Sequence, residues 1–289
     1  MTEKISIEHT TFGLTGPIVH TTTRAMPCHC VIFQIGARVI LLDSGFGTRE
    51  MLAPNSLLGD DLLFKLGPLI DLRLTANERL KSRGLQPEQV TYIILTHMDY
   101  DHAGVLHDFP NATVHVSSEE LEAYDSARPR GAYKPYQVSH RTKFKTYERT
   151  GEQWFDLEVR SLQFPDDLEA KLVPLPGHTF GHCGVAYRED GVWSLHAGDA
   201  YFDSKVNFEK HAPGLPIEIA FQSDANDRQA SLRKLQMLKA AHGDEVRLFC
   251  THDQQEFLDW TSARGKPDTV VARRTFSSPD AGCGSAPGR

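Results

Sequence analysis

Four potential metal ligands fall within six residues, His97-Met98-Asp99-Tyr100-Asp101-His102, directly after a β-branched run, Val90-Thr91-Tyr92-Ile93-Ile94-Leu95-Thr96. A backbone leaving a buried strand can splay such side chains into one cavity. Imidazole nitrogen with carboxylate oxygen suits zinc, iron or manganese. The arrangement recurs downstream. Leu172-Val173-Pro174-Leu175-Pro176 leads into Gly177-His178-Thr179-Phe180-Gly181-His182, Trp193-Ser194-Leu195-His196-Ala197 into Gly198-Asp199, and Val246-Arg247-Leu248-Phe249-Cys250 into Thr251-His252-Asp253. A single solvated turn does not explain four strand ends that each offer His or Asp.

The rest of the chain fits a layered α/β domain. Residues 17–47 read as a hairpin, with strands over Cys30–Ile35 and Val39–Asp43 around a Gly36-Ala37-Arg38 turn. Residues 48–75 read as a long excursion with short helices, whose leucines suit a pocket lining, a homodimer contact or core. Helices are expected over Thr75–Arg83, Glu119–Tyr124 behind a Ser117 cap, and Asp227–Ala241. Further strands are expected over Thr113–Val116, within Val159–Leu175, and over Val185–Tyr187, Val192–Ala197 and Val246–Cys250. This order predicts an α/β (α+β) four-layer αβ/βα sandwich, two facing mixed sheets with helices on their outer faces. One domain is expected over residues 1–276, with a disordered Gly/Ser/Pro-rich tail over 277–289.

The formal net charge of −7 and the absence of a Lys/Arg block argue against nucleic acid as a partner. No apolar stretch approaches the length needed to cross a bilayer, and the polar start MTEKISIEHT is unlike a secretory signal. A cytoplasmic protein acting on a small molecule is the expectation. The five cysteines, Cys28, Cys30, Cys183, Cys250 and Cys283, form no CxxC pair and no disulfide framework. Cys28-His29-Cys30 offers three residues of metal-binding type, but strand alternation sends His29 to the opposite face, so buried packing rather than metal binding is the expectation for the cysteines.

Together, THMDYDHAG, PGHTFGH, AGDA and THD, preceded by LLDSGFG, resemble the metallo-β-lactamase superfamily over about residues 25–258. The resemblance implies a dinuclear centre. His97, Asp99 and His178 would hold one divalent ion, Asp101, His102 and His252 the other, and Asp199 would bridge them. Asp43 and His182 would support those ligands from behind, as would His196 in the core. No role is assigned to His29, His107, His115, His140, His211 or His242.

One departure stands out. The family pattern is His-x-His-x-Asp-His, and Asp99 stands where the middle His would be. A carboxylate there favours harder cations such as iron(II) or manganese(II), although zinc remains the first expectation. Family members with an acidic residue at this place include di-iron oxygen-reducing enzymes, but those use Glu and carry a flavodoxin partner domain. The resemblance therefore implies hydrolysis, by metal-bound hydroxide attacking a carbonyl carbon. Asp101 would orient the nucleophile and protonate the leaving group, and Tyr201 or Tyr100 would stabilise the oxyanion. The compact domain and the THD ending look most like lactonases that open acyl-homoserine lactones. Thioester or β-lactam hydrolysis, a di-iron redox protein and a non-catalytic binding module are the competing readings.

Overall fold

The anticipated hairpin forms from β2 (Met26–Ile35) and β3 (Arg38–Leu42), antiparallel, with Val31 opposite Leu42. The turn between them places Gly36 at φ 57°, a left-handed conformation that costs glycine little. The computed structural model describes residues 4–16, 25–126, 131–165, 168–189, 191–210, 214–263 and 271. The 17–24 part of the expected hairpin and the 277–289 tail lie outside those residues.

Two mixed six-stranded sheets make up the molecule. The first has the order β1 (Ile5–Thr15), β2, β3, β4 (Val90–Ile94), β5 (Thr113–Ser117), β6 (Lys143–Tyr147). The second has the order β12 (Val246–Phe249), β11 (Val192–His196), β10 (Cys183–Glu189), β9 (Ala170–Pro174), β8 (Leu157–Ser161), β7 (Glu152–Trp154). Alternating residues of each strand feed separate apolar layers. Val31, Phe33, Ile40, Leu42 and Ile94 meet Leu172, Val185, Tyr187 and Phe249 between the sheets. Ile32, Leu41, Ile93 and Val114 face outward to α4 (Ala76–Lys81) and α5 (Ser118–Asp125) through Leu80 and Ala123. Val173, Ala186 and Leu195 face α7 (Ala225–His242) through Leu232, Leu235 and Leu238. Each such fully buried aliphatic side chain contributes about 1.5–3 kcal/mol. The four-layer sandwich follows. Among the described residues no helix is long and apolar enough to cross a membrane.

Strand direction positions the site. β3, β4 and β5 are mutually parallel. In the second sheet β9 and β11 each pair antiparallel with β10, and β12 runs parallel to β11, so β9, β11 and β12 share one direction. Their carboxyl ends, with those of β3 and β4, carry the His- and Asp-bearing loops to one edge of the sandwich.

Several elements differ from the sequence expectation. β1 is a full edge strand in a segment whose polar composition carries no strand signal. β6, β7, α6 (Pro216–Phe221) and α8 (Gln254–Ala263) are likewise absent from the sequence expectation. The 48–75 excursion does form short helices, α1 (Thr48–Leu52), α2 (Pro54–Leu57) and α3 (Asp60–Leu66). Its apolar residues divide: Leu58, Leu62 and Leu66 are buried beside Met26, Cys28, Phe46 and Tyr100, whereas Phe64 and Ile70 are exposed.

Candidate metal centre

The loop after β4 is held from below by Asp43, at the end of β3. Its carboxylate accepts from Thr96 N–H (2.8 Å), Thr96 Oγ1 (2.8 Å) and His102 Nδ1 (2.8 Å). Asp43 is fully buried and sits at φ 53°, a left-handed conformation that a short polar side chain tolerates best outside glycine. Thr96 Oγ1 spends its proton on Asp43 and accepts from His97 Nδ1 at 3.0 Å. His252 Nδ1 is engaged by Pro27 C=O at 2.9 Å. In all three rings Nδ1 faces the scaffold, leaving the Nε2 lone pair for the cluster.

Those Nε2 atoms converge on the carboxylates. His178 Nε2 lies 3.1 Å from Asp99 Oδ2 and 3.4 Å from Asp199 Oδ2. His97 Nε2 lies 3.6 Å from Asp99 Oδ2. His102 Nε2 is 3.3 Å from Asp199 Oδ1, and His252 Nε2 is 3.3 Å from Asp199 Oδ2 and 3.6 Å from Asp101 Oδ2. Asp199 thus faces imidazoles on both sides. Donor atoms of His97, Asp99 and His178 lie within 4.8 Å of one another, as do those of His97, His102 and Asp199. His97 Nε2, His102 Nε2 and Asp199 Oδ1 are buried and make no hydrogen bond among the described residues. Buried polar atoms left unsatisfied cost free energy, and cations in this cavity would satisfy all three. The donor set fits two divalent ions.

The electrostatics agree. Burial pushes His97 down to about 4, with His102 beside it adding to the effect, so the ring is a neutral donor. Burial opposes the charge of His102 and His252, but Asp199 and the neighbouring carboxylates outweigh it and raise both. Burial likewise opposes the Asp199 carboxylate, and His252, His102 and His178 hold it well below the usual range.

His182 is not in the cluster. Its Nδ1 donates to Leu175 C=O (2.8 Å) and its Nε2 accepts from Asp199 N–H (2.9 Å), fixing the Asp199 backbone. Gly198, at φ 55°, is required beside it, since a Cβ there would lie 2.5 Å from His182 Nε2. His196 bonds His29 C=O and Gly198 N–H and supports the same turn.

Tyr201 does not reach the cluster. Its hydroxyl donates to Glu256 at 3.1 Å, and its ring is fully buried in the layer under α7. Burial pushes Glu256 up to about 8. Once the chain has left β11 no strand period governs which residue faces the cavity, and Phe202 faces it instead, 4.7 Å from the His252 ring. Tyr201→Phe is expected to leave turnover within about 2-fold while costing about 1 kcal/mol of stability. A collapse of kcat at unchanged melting temperature would return Tyr201 to the chemistry.

Sequence reasoning missed two residues. Glu120, fully buried on α5, accepts at Oε1 from Met98 N–H (2.8 Å) and Tyr133 OH (3.0 Å). At Oε2 it accepts from Thr179 Oγ1 (2.6 Å) and Gly181 N–H (3.2 Å), so one carboxylate clamps two ligand loops. The spacing Ser117-x-x-Glu120 reads as a helix start and conceals this role. Cys28 is the other: it is buried as anticipated, but its Sγ lies within 4.8 Å of donor atoms of both Asp101 and His252.

The cluster opens on a narrow cleft lined by Thr15, Met26, Leu66, Tyr100, Phe202 and Ile217 as well as the acidic and imidazole groups. Facing sheets with His and Asp donors gathered at their strand ends fit a metal-dependent hydrolase. The chain belongs to the metallo-beta-lactamase superfamily, whose model matches residues 23–251. It is 30% identical over 241 residues to a probable metallo-hydrolase of Mycobacterium tuberculosis, covering 79% of this chain and 75% of that protein. It is 25% identical over 233 residues to an N-acyl homoserine lactonase of Bacillus cereus, covering 78% and 84%. Among solved structures, a mutant of Bacillus thuringiensis AiiA with N-decanoyl-L-homoserine bound at the active site shares the fold. Its TM-score is 0.68 at 20% identity, with 89% of this chain and 96% of that one covered. The family implies divalent ions as the resident cofactor.

Proposed function

We propose that this hydrolase opens the ester bond of a lactone bearing an apolar acyl chain, of the acyl-homoserine lactone kind. The observation that carries this reading is the cleft. Its lining combines the polar groups Asp99, Asp101, His178, Asp199 and His252 with the apolar side chains Met26, Leu66, Phe202, Ile217 and Phe221. Such a site takes a ligand with a polar, hydrolysable head and an apolar tail. The similarity to N-acyl homoserine lactonases supports the same class.

His97, Asp99, His178, Asp101, His102, His252 and Asp199 would hold two divalent ions, zinc first among them, with Asp199 shared. When bound, such ions supply Lewis acidity and lower the pKa of water towards neutrality. Asp101 lines the cleft, its carboxylate 3.6 Å from His252 Nε2. In this proposal it orients the attacking water, takes its proton and returns it to the leaving ring oxygen. Tyr100, placed between Asp99 and Asp101 in the cleft wall, takes over from Tyr201 as the phenol that donates to the substrate carbonyl. Phe202 and Met26 keep water from the acyl side.

The test is kcat/KM across N-hexanoyl- and N-decanoyl-homoserine lactone, an unacylated lactone, an acyl thioester and a β-lactam. The expected result is preference for acylated lactones by about 10-fold or more, the worth of burying two or more methylenes. Faster turnover of the thioester or the β-lactam would overturn the substrate assignment.

A further inference from the structure

We propose that Cys28 supplies a thiolate ligand to the second cation site, beside Asp101, His102, His252 and Asp199, and makes that site the more zinc-selective of the pair. The proposal rests on the dinuclear reading of the cluster and goes beyond it, because none of the motifs that carry the family resemblance includes Cys28.

The start of β2 is tied to the loop after β12 on both sides of Cys28. Pro27 C=O accepts from His252 Nδ1 at 2.9 Å, and His29 N–H donates to Thr251 C=O at 3.1 Å. These bonds fix the Cys28 backbone beside the His252 ring. Strand alternation then decides which side chain faces the cations. His29 points away, its Nε2 2.8 Å from His9 Nδ1 and its ring 4.6 Å from Phe249. Cys28 therefore points into the cluster side. Cys30 faces the same way but about 7 Å further along the strand; its Sγ donates to Cys28 C=O and it packs in the outer core.

A buried cysteine is ordinarily a small packing residue, and Cys28 does belong to the apolar cluster that holds Met26, Phe46 and Tyr100. What sets it apart is that Sγ, an Asp101 oxygen and a His252 nitrogen all lie within 4.8 Å of one another. Donors bound to one tetrahedral zinc at about 2.0–2.3 Å stand about 3.3–3.8 Å apart. Closing the trio around one ion takes side-chain shifts of up to about one ångström.

Two consequences follow. Asp99, Asp101, Asp199 and a Cys28 thiolate are four anionic donors, and two divalent ions carry the matching positive charge. A buried centre balanced in this way avoids the cost of uncompensated charge. The two sites also differ in softness. His97, Asp99, His178 and Asp199 form a nitrogen–oxygen set that accepts harder ions, whereas a thiolate favours zinc.

The experiment uses the full-length protein loaded with zinc, and separately with cobalt(II). X-ray absorption at the zinc edge is expected to require one sulfur at about 2.3 Å. The cobalt form should show a thiolate-to-cobalt charge-transfer band that Cys28→Ser abolishes. In chelator competition, Cys28→Ser should weaken one of the two zinc ions by about 10-fold or more. The wild-type spectra decide the matter even where the variant fails to fold. A protein holding two zinc ions in an all nitrogen–oxygen shell overturns the Cys28 assignment alone. A protein that takes up no zinc or cobalt overturns it together with the dinuclear reading.

Discussion

Replacing Asp199 by Ala is expected to empty both cation sites and to reduce hydrolysis on the order of 10⁴-fold, because Lewis-acid stabilisation is worth several kcal/mol and each 1.36 kcal/mol is tenfold. The size of the effect follows from where this carboxylate stands. Its two oxygens face His102, His178 and His252 at 3.3–3.4 Å, so no other acid in the cluster touches as many imidazoles. Without it Asp99 still faces His178 and Asp101 still faces His252, but the carboxylate that meets all three rings is gone. Asp199→Asn separates charge from shape, since the amide fills the same space without the negative charge. It should recover the fold without recovering the metal. The measurements are metal per chain by elemental analysis and kcat/KM on an ester panel. Two ions per chain and full turnover in Asp199→Ala would dismiss the shared site.

Asp43→Ala is the second large effect, and it acts through the scaffold. The substitution removes an acceptor from Thr96 N–H, Thr96 Oγ1 and His102 Nδ1 at once. Breaking a buried pair of this kind costs about 3–5 kcal/mol, and at about 2–4 °C per kcal/mol the melting temperature should fall by roughly 10 °C. Affinity for the ion on His102 should fall about 10–100-fold, since that ring loses its orienting partner. The pH dependence has a definite sign. Burial works against the Asp43 carboxylate, but His102 outweighs it and holds the pKa below the usual value. A depressed acid contributes stability above its unfolded pKa and loses it as pH falls through the folded value. The gap between wild type and Asp43→Ala should therefore narrow towards acid pH. Equal melting temperatures at neutral pH, with unchanged metal content, would show that Asp43 is only a turn residue.

The strand-end pattern made much of this legible in the sequence. His97, Asp99, Asp101, His102, His178, Asp199 and His252 each follow a run whose β character is plain, and the family resemblance supplies the common cavity. What escaped the reading has physical reasons. β1 is rich in His and Thr, yet His9, Thr10 and Thr11 are buried, because a second sheet and α8 cover that edge. β6 reads Lys-Phe-Lys-Thr-Tyr and buries only Tyr147, so apolar alternation is faint there. Tyr201 and Phe202 exchange places because the turn at Gly198 resets the direction of every following side chain. Cys28 and Glu120 acquire their importance from partners far away in the chain, which no local spacing announces.

Glu120 grips Met98, in a loop that issues from the first sheet, and Thr179 and Gly181, in a loop that issues from the second. The two halves of the sandwich are thereby fastened at the very point where His97 and His178 must keep their separation. Ion affinity and the docking of the halves become a single linked equilibrium. Stripping the ions should loosen the seam between the sheets, and any strain that shears the seam should release the ions.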